Sequence, residues 1–328
     1  MPQLELLASG PGTGKTTYCI DLFRQEILKS PGGLDSRAYF VLPNREHVGR
    51  IQSLVLKKDV PGLFNVHILT LQDLTRRLLG AHAGLGPGEM LRQALLRGIL
   101  EDPALELPYF SKVRDLTGFH RLLSETLQEF KAALLDIPEF ERRAQPLLFD
   151  PVFRAKYRDF TLVLKLYEEK LKALGLSEPE DNIRRLEQKD GPVEPAELVI
   201  FDGFYHFSLA QQRLIEFVSK CARRVTVTLT MPRKLTGREQ AFEYPARTRQ
   251  FLLGLGFREN EGVSRTSLRT EDPALRHLEA NLFLGEPAVY KKEQESVLSL
   301  EAESSRGQMR MMARELRAAM EVVRQNPR

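Results

Sequence analysis

Short uncharged runs alternate with amphipathic stretches through residues 1–80, and this alternation predicts strands that each lead into a helix. Leu4-Glu5-Leu6-Leu7-Ala8 reads as a buried strand, and Tyr18 to Phe23 carries helical spacing. Ala38 to Leu42 is a five-residue run without charge, closed by Pro43-Asn44, with an amphipathic helix expected from Arg45 to about Lys58. Val66 to Thr70 repeats the arrangement, and Leu71 to Leu79 supplies its helix. Strand–helix units in succession predict an α/β fold with a parallel sheet.

Gly80 to Gly88 is a loop rich in Gly and Ala, and the period then changes. From Glu89 to about Leu186 the spacing is helical, with no convincing strand. Phe110, Phe119, Leu122, Leu123, Leu127 and Phe130 supply apolar stripes, and Phe160, Leu164, Tyr167 and Leu171 another. The sheet resumes at Leu198-Val199-Ile200-Phe201, a helix starts at Ser208, and Arg224 to Thr230 is a β-branched strand. Arg233 to Glu286 is mixed, with helices expected at Thr248–Leu255 and Pro273–Phe283. A strand at Val297–Ala302 and a helix at Gln308–Val323 complete the pattern. The expected domains are a core of residues 1–80 and 190–290, a helical insertion at 81–189, and the start of a further domain at 291–328. A last strand and helix have little to pack on, so the natural polypeptide is expected to continue past Arg328.

Composition narrows the class. With 42% hydrophobic and 28% charged residues among 328, the chain is a globular protein large enough for two domains. A formal charge of +4 permits a nucleic-acid partner without demanding one. Arg76, Arg77, Arg92, Arg97, Lys112 and Arg114 are interspersed with Glu and Asp, and read better as solvated helix faces than as a phosphate-binding stripe. Cys19 and Cys221 are too few for a cysteine-ligated metal or iron–sulfur cluster and point to a reducing compartment. No run approaches the ~18 apolar residues of a membrane span, so a cytoplasmic protein without membrane association is expected.

The chemistry concentrates in Ser9-Gly10-Pro11-Gly12-Thr13-Gly14-Lys15-Thr16-Thr17, between the first strand and the first helix. Glycines there let the turn curl until backbone N–H groups face a phosphate, and the helix adds its positive end. ATP contacts are expected from Gly10, Gly12, Thr13, Gly14, Lys15, Thr16 and Thr17. Lys15 reaches the β- and γ-phosphates, and the Thr16 hydroxyl holds Mg²⁺. The alternative is a glycine-rich turn with a chance Gly-Lys-Thr, which the flanking strand and helix disfavour. Where the usual pattern opens with Gly or Ala, this chain has Ser9. Asp202, delivered by the strand at 198–201, stands where ligands sit in open α/β sheets. It is either an aspartate opening a turn or, with Thr16, the second Mg²⁺ ligand. The second reading predicts a P-loop NTPase (RecA-like) sheet with a large all-helical insertion, in which the loop and Asp202 emerge from neighbouring strands.

This arrangement resembles the first motor domain of superfamily 1 DNA helicases, and more closely the AddB/RexB-type subunit of bacterial ATP-dependent exonucleases. The stretches that carry the resemblance are residues 9–17, Val41-Leu42-Pro43-Asn44, Leu69-Thr70-Leu71-Gln72-Asp73-Leu74, Phe201-Asp202-Gly203-Phe204 through Phe207-Ser208-Leu209-Ala210-Gln211-Gln212, and Val225 to Thr230. The resemblance implies ATP and Mg²⁺ as cofactors, DNA as a partner (single-stranded or a duplex end), and a second helicase–nuclease subunit. It also implies a PD-(D/E)XK nuclease and an iron–sulfur cluster in the full protein, neither locatable in this sequence.

Departures from the pattern bear on mechanism. Active motors place Asp-Glu at the strand end, then Gln-Asp, then a Gln nine residues after the first Asp. Asp202 and Gln211 keep that register and are the only catalytic candidates, but Gly203 replaces the Glu, and Tyr205-His206 replace the Gln-Asp. General-base assistance of roughly 10²–10⁴-fold is then missing, and weak or no hydrolysis is expected. His206 reads as a surface histidine rather than a substitute base. Met231-Pro232-Arg233 stands where a Gly-Asp-x-x-Gln motif would follow. The alternatives are a free-standing P-loop kinase with a helical lid, a free-standing P-loop ATPase, or a non-catalytic scaffold subunit.

Overall fold

A computed structural model describes residues 2–29, 36–56, 67–188, 195–232, 234–264 and 266–325. The chain forms two compact units: residues 1–235 with 242–266, and residues 236–241 with 267–328. The ends of the expected elements at Lys58 and Val66, the boundary at 189–190, and Arg233 lie outside the described residues.

The first unit is α/β. Strand β1 (Gln3–Ser9) leads into helix α1 (Lys15–Ile27), β2 (Ala38–Leu42) into α2 (Arg45–Val55), and β3 (Ile68–Thr70) into α3 (Leu71–Leu79). Five helices follow: α4 (Glu89–Leu100), α5 (Thr117–Ala132), α6 (Ile137–Ala144), α7 (Pro151–Ala173) and α8 (Pro179–Glu187). The chain then returns to the sheet as β4 (Leu198–Phe201), α9 (Leu209–Cys221), β5 (Arg224–Thr230), α10 (Glu243–Gly254) and β6 (Arg258–Glu259). Helix α10 starts before the expected Thr248. Strand β6 has no sequence signal, because two charged residues carry no alternation.

The six strands are all parallel, in the order β3-β2-β4-β5-β1-β6. Because helices cover both faces, β2 and β4 read as continuous apolar runs, and alternate residues serve opposite layers. Leu7, Phe40, Leu42 and Ile200 pack on Cys19, Ile20 and Phe23 of α1 and Ile51 and Val55 of α2. Leu6, Val41, Phe201 and Val227 pack on the other face with Leu74 of α3 and Leu214 and Val218 of α9. Sheet order corrects one expectation: β1 and β4 are not neighbours, since β5 pairs with both. Neither β4 nor β5 carries a local signal for which of them lies beside β1.

The helical segment has its own core, where Leu96, Leu127, Phe130, Val163, Leu164 and Tyr167 come together. Its two ends are clasped. Asn182 accepts from the Gly84 N–H (3.1 Å) and donates to the Gly84 carbonyl (2.9 Å), and Leu85 bridges to Leu176. Only glycine fits at 84, because a Cβ there would lie 2.1 Å from Ser177 Oγ.

The second unit contains α11 (Pro273–Asn281), capped by Asp272, and α12 (Ser305–Gln325). The strand expected at Val297–Ala302 is absent among the described residues. Leu298 and Leu300 alternate with Ser299 and Glu301 but are exposed, as is Val297, and among the described residues no strand pairs with them to complete a ladder.

Candidate functional site

Residues 10–14 turn the chain from the end of β1 into α1. Gly12 (φ 71°) and Gly14 (φ 87°) take the left-handed conformations that let so tight a turn close. Gly14 is the N-cap of α1, so no side chain caps the helix, and its first turn holds no acidic residue. The backbone N–H groups at that end are therefore suited to a phosphate. Thr13 Oγ1 donates to the Gly10 carbonyl (3.0 Å). Lys15, buried at the helix start, folds its ammonium back onto the loop, 2.9 Å from the Ser9 carbonyl and 2.6 Å from that of Gly10. Thr17 faces outward and is exposed.

Thr16 points across the sheet, and its hydroxyl donates to Asp202 Oδ2 at 2.9 Å. The other carboxylate oxygen accepts from Thr228 Oγ1 at 2.6 Å. Thr228 belongs to the intervening β5 and also takes a bond from the Gly203 N–H (3.3 Å). Asp202 is thus held from both sides and is 4% exposed. A hydroxyl and one carboxylate are hard oxygen donors, suited to Mg²⁺ arriving with phosphate oxygens. Among the described residues no three His, Cys, Asp or Glu side chains group as a self-sufficient metal site. Burial pushes the Cys19 thiol up, and the nearby Asp202 charge adds to the rise. The role of Thr228 has no sequence signal, because a threonine within a β-branched run marks only a strand.

Beyond Asp202 the two catalytic candidates part company. Gly203 has φ +84°, a conformation that L side chains rarely adopt. Gln211 sits in the first turn of α9, where its amide accepts from the Ser208 N–H (3.1 Å) and Ser208 Oγ accepts from the Gln211 N–H (3.3 Å). This is a helix capping box, and it accounts for Gln211 locally. His206 is exposed, its ring in tilted contact with those of Tyr205 (4.4 Å between centroids) and Tyr244 (5.6 Å).

A groove of about 510 Å³ opens beside these residues, at the carboxyl ends of β2, β3 and β4. Asn44, Arg45, Thr70, Gln72, Tyr205, His206, Ser208 and Gln211 line it, with no carboxylate among the lining residues. Asn44, Thr70 and Ser208 are the N-caps of α2, α3 and α9, so three helix amino ends meet there. Tyr205 presents its ring to solvent, 59% exposed.

The family described as "ADDB, N-terminal" matches residues 7–279. Proteins named as a subunit of ATP-dependent helicase/deoxyribonuclease are similar over nearly the whole chain. The one from Geobacillus kaustophilus (strain HTA426) is 26% identical over 334 residues, covering 95% of this chain and 28% of its own length. Those from Bacillus subtilis (strain 168) and Desulforudis audaxviator (strain MP104C) are 25% and 26% identical, covering 96% and 95% of this chain and 28% of each relative. This chain thus spans a little over a quarter of the relatives' length. The match includes both the glycine turn and Asp202, and the chain belongs to the ADDB N-terminal family.

Proposed function

We propose that this chain is the nucleotide-binding, helicase-like part of an AddB-type subunit of an ATP-dependent helicase/deoxyribonuclease, acting on DNA in repair and recombination beside a second helicase–nuclease subunit. In this reading the sheet is a RecA-like P-loop core, and residues 81–189 are a helical domain inserted into it. The segment from 291 on belongs to a further domain. The observation that carries the proposal is the Thr16–Asp202 hydrogen bond, which joins the glycine turn to a carboxylate at the end of a separate strand.

The N–H groups of Gly12 to Thr16 receive the phosphates, with Gly10 and Thr13 shaping the turn and Thr17 extending the helix end. Lys15 exchanges the Ser9 and Gly10 carbonyls for phosphate oxygens. Thr16 and Asp202 hold Mg²⁺, which supplies charge neutralisation to the triphosphate. At position 203 the chain offers no carboxylate to orient or deprotonate a water, and Gln211 is engaged by Ser208. The chain accordingly binds ATP and turns it over weakly or not at all. The groove, with Arg45 and the exposed Tyr205 and no carboxylate among its lining residues, supports DNA binding in a single-stranded form. Work on bacterial DNA is cytoplasmic work. No helix among the described residues is long and apolar enough to cross a membrane.

Equilibrium titration with labelled ATP·Mg²⁺ and with single-stranded and duplex DNA across salt tests the proposal. Expected are ATP binding lost in Lys15→Ala, DNA affinity that falls steeply with salt, and negligible phosphate release. Robust turnover would refute the inactive-motor element, and failure to bind either ligand would refute the whole.

A further inference from the structure

A strap of chain runs along β1 and ends on the glycine turn. It starts at Asn260, whose N–H donates to the Leu6 carbonyl (2.9 Å), extending the pairing of β6 with β1. Its side-chain amide donates to Glu5 Oε1 (2.6 Å) and Tyr18 Oη (3.1 Å), which ties the strap to β1 and α1 together. Val263 is buried in the same core cluster as Cys19 and Ile20. Ser264 then meets the turn twice. Its N–H donates to the Thr13 carbonyl (3.2 Å), and its carbonyl accepts from Ser9 Oγ (3.2 Å). Two residues on, at Thr266, the chain leaves the first compact unit for the second.

The hydroxyl of Ser9, the residue that departs from the usual Gly or Ala, is therefore bonded to the strap rather than turned into the cradle, and Ser9 is only 2% exposed. The Thr13 carbonyl shares a planar, trans peptide unit with the Gly14 N–H, so the two point in opposite directions. By taking the carbonyl on the outside, the Ser264 N–H holds the Gly14 N–H in the orientation that an anion in the turn requires.

The geometry points to a coupling device: the strap at 260–264 locks the Thr13–Gly14 peptide in its anion-receptive orientation, so strap attachment and phosphate occupancy stabilise each other. The inference rests on reading residues 9–17 as a nucleotide cradle and adds the route by which occupancy reaches the segment joining the two units. The coupling is reciprocal by linkage. Ser9 is a positioning residue in this device.

Amide hydrogen exchange of the full chain, with and without ATP·Mg²⁺, tests it, with affinity measured separately by calorimetry. ATP·Mg²⁺ is expected to slow exchange at the Ser264 amide. Ser9→Ala is expected to weaken ATP binding about fivefold, the worth of about one net hydrogen bond, and to reduce the slowing by a similar factor. Ser264→Ala retains the coupling, because both of its bonds to the turn are made by backbone atoms. If ATP binds and Ser264 exchange does not change, or Ser9→Ala binds like the parent chain, the coupling is overturned and the cradle reading stands. If calorimetry finds no ATP binding, the cradle reading falls and the coupling falls with it.

Discussion

Thr16 and Asp202 stand 186 positions apart in the chain and share a 2.9 Å hydrogen bond. Thr228 secures the second carboxylate oxygen, so Asp202 is the point where three separate segments converge. Asp202→Asn is expected to preserve the fold while making ATP affinity insensitive to Mg²⁺, checked by titration with Mg²⁺ and with EDTA. Asp202→Ala strands the Thr16 and Thr228 hydroxyls and is expected to cost about 1–3 kcal/mol, read from urea denaturation.

Placing a carboxylate at position 203 is not expected to bring hydrolysis back. Gly203 adopts φ +84°, although there is room beside it: a Cβ at this position would lie 3.5 Å from Pro43 Cδ, an ordinary contact. Gly203→Glu is therefore expected to lose about 1–3 kcal/mol to backbone strain and to leave phosphate release at the parent's level. Turnover appearing in this variant would show that the backbone can relax into the motor conformation.

In the proposed reading of the groove, Tyr205 supplies stacking and Arg45 a phosphate contact to single-stranded DNA. Tyr205→Ala is expected to cost about 1–3 kcal/mol of affinity through lost stacking, while Tyr205→Phe keeps most of it. Arg45→Ala is expected to lower the slope of log affinity against log salt by about 1. Fluorescence anisotropy across a salt series separates the two effects.

The helical segment is held by a buried ion pair. Arg92 donates to Glu178 through Nε (3.0 Å) and a terminal nitrogen (2.9 Å), and Tyr167 donates to the same carboxylate. Burial raises the Tyr167 phenol well above its ordinary range, and Glu178 reinforces the rise. Arg92→Ala leaves Glu178 buried without its cation and is expected to destabilise this segment by about 3–5 kcal/mol. Thermal melting followed by circular dichroism measures the loss.

Lys131 gives a pH signature. Burial opposes its charge, but Asp181 and Glu168, at 3.2 and 2.6 Å, outweigh burial and hold its pKa above the ordinary 10.5. A raised lysine contributes stability that is fully present below its unfolded pKa and lost as pH rises through the folded one. Melting temperature is expected to fall above pH 10.5, and Lys131→Met is expected to flatten that alkaline decline.

Much of this architecture is legible in the sequence because buried parallel strands write themselves as uncharged runs. Leu198 to Phe201 announces both a strand and the carboxylate it delivers, and residues 10–14 announce a turn that only glycines allow. Pairing order is not legible, since nothing in Val225 or Val227 says that β5 inserts between β1 and β4. Val297 to Ala302 misleads for the converse reason: alternation specifies a face, but a strand also needs a neighbour. Thr228, Ser264 and Tyr244 stay hidden because their roles depend on what the fold sets opposite them.

The strand lying between β1 and β4 acts as a ruler. Adjacent strands sit about 4.8 Å apart, so the two halves of the site are separated by a span that comes only in whole rungs. Thr16 and Asp202 are long enough to close a two-rung gap from opposite sides. Repacking the core beneath them can tilt the halves, but it cannot alter the count.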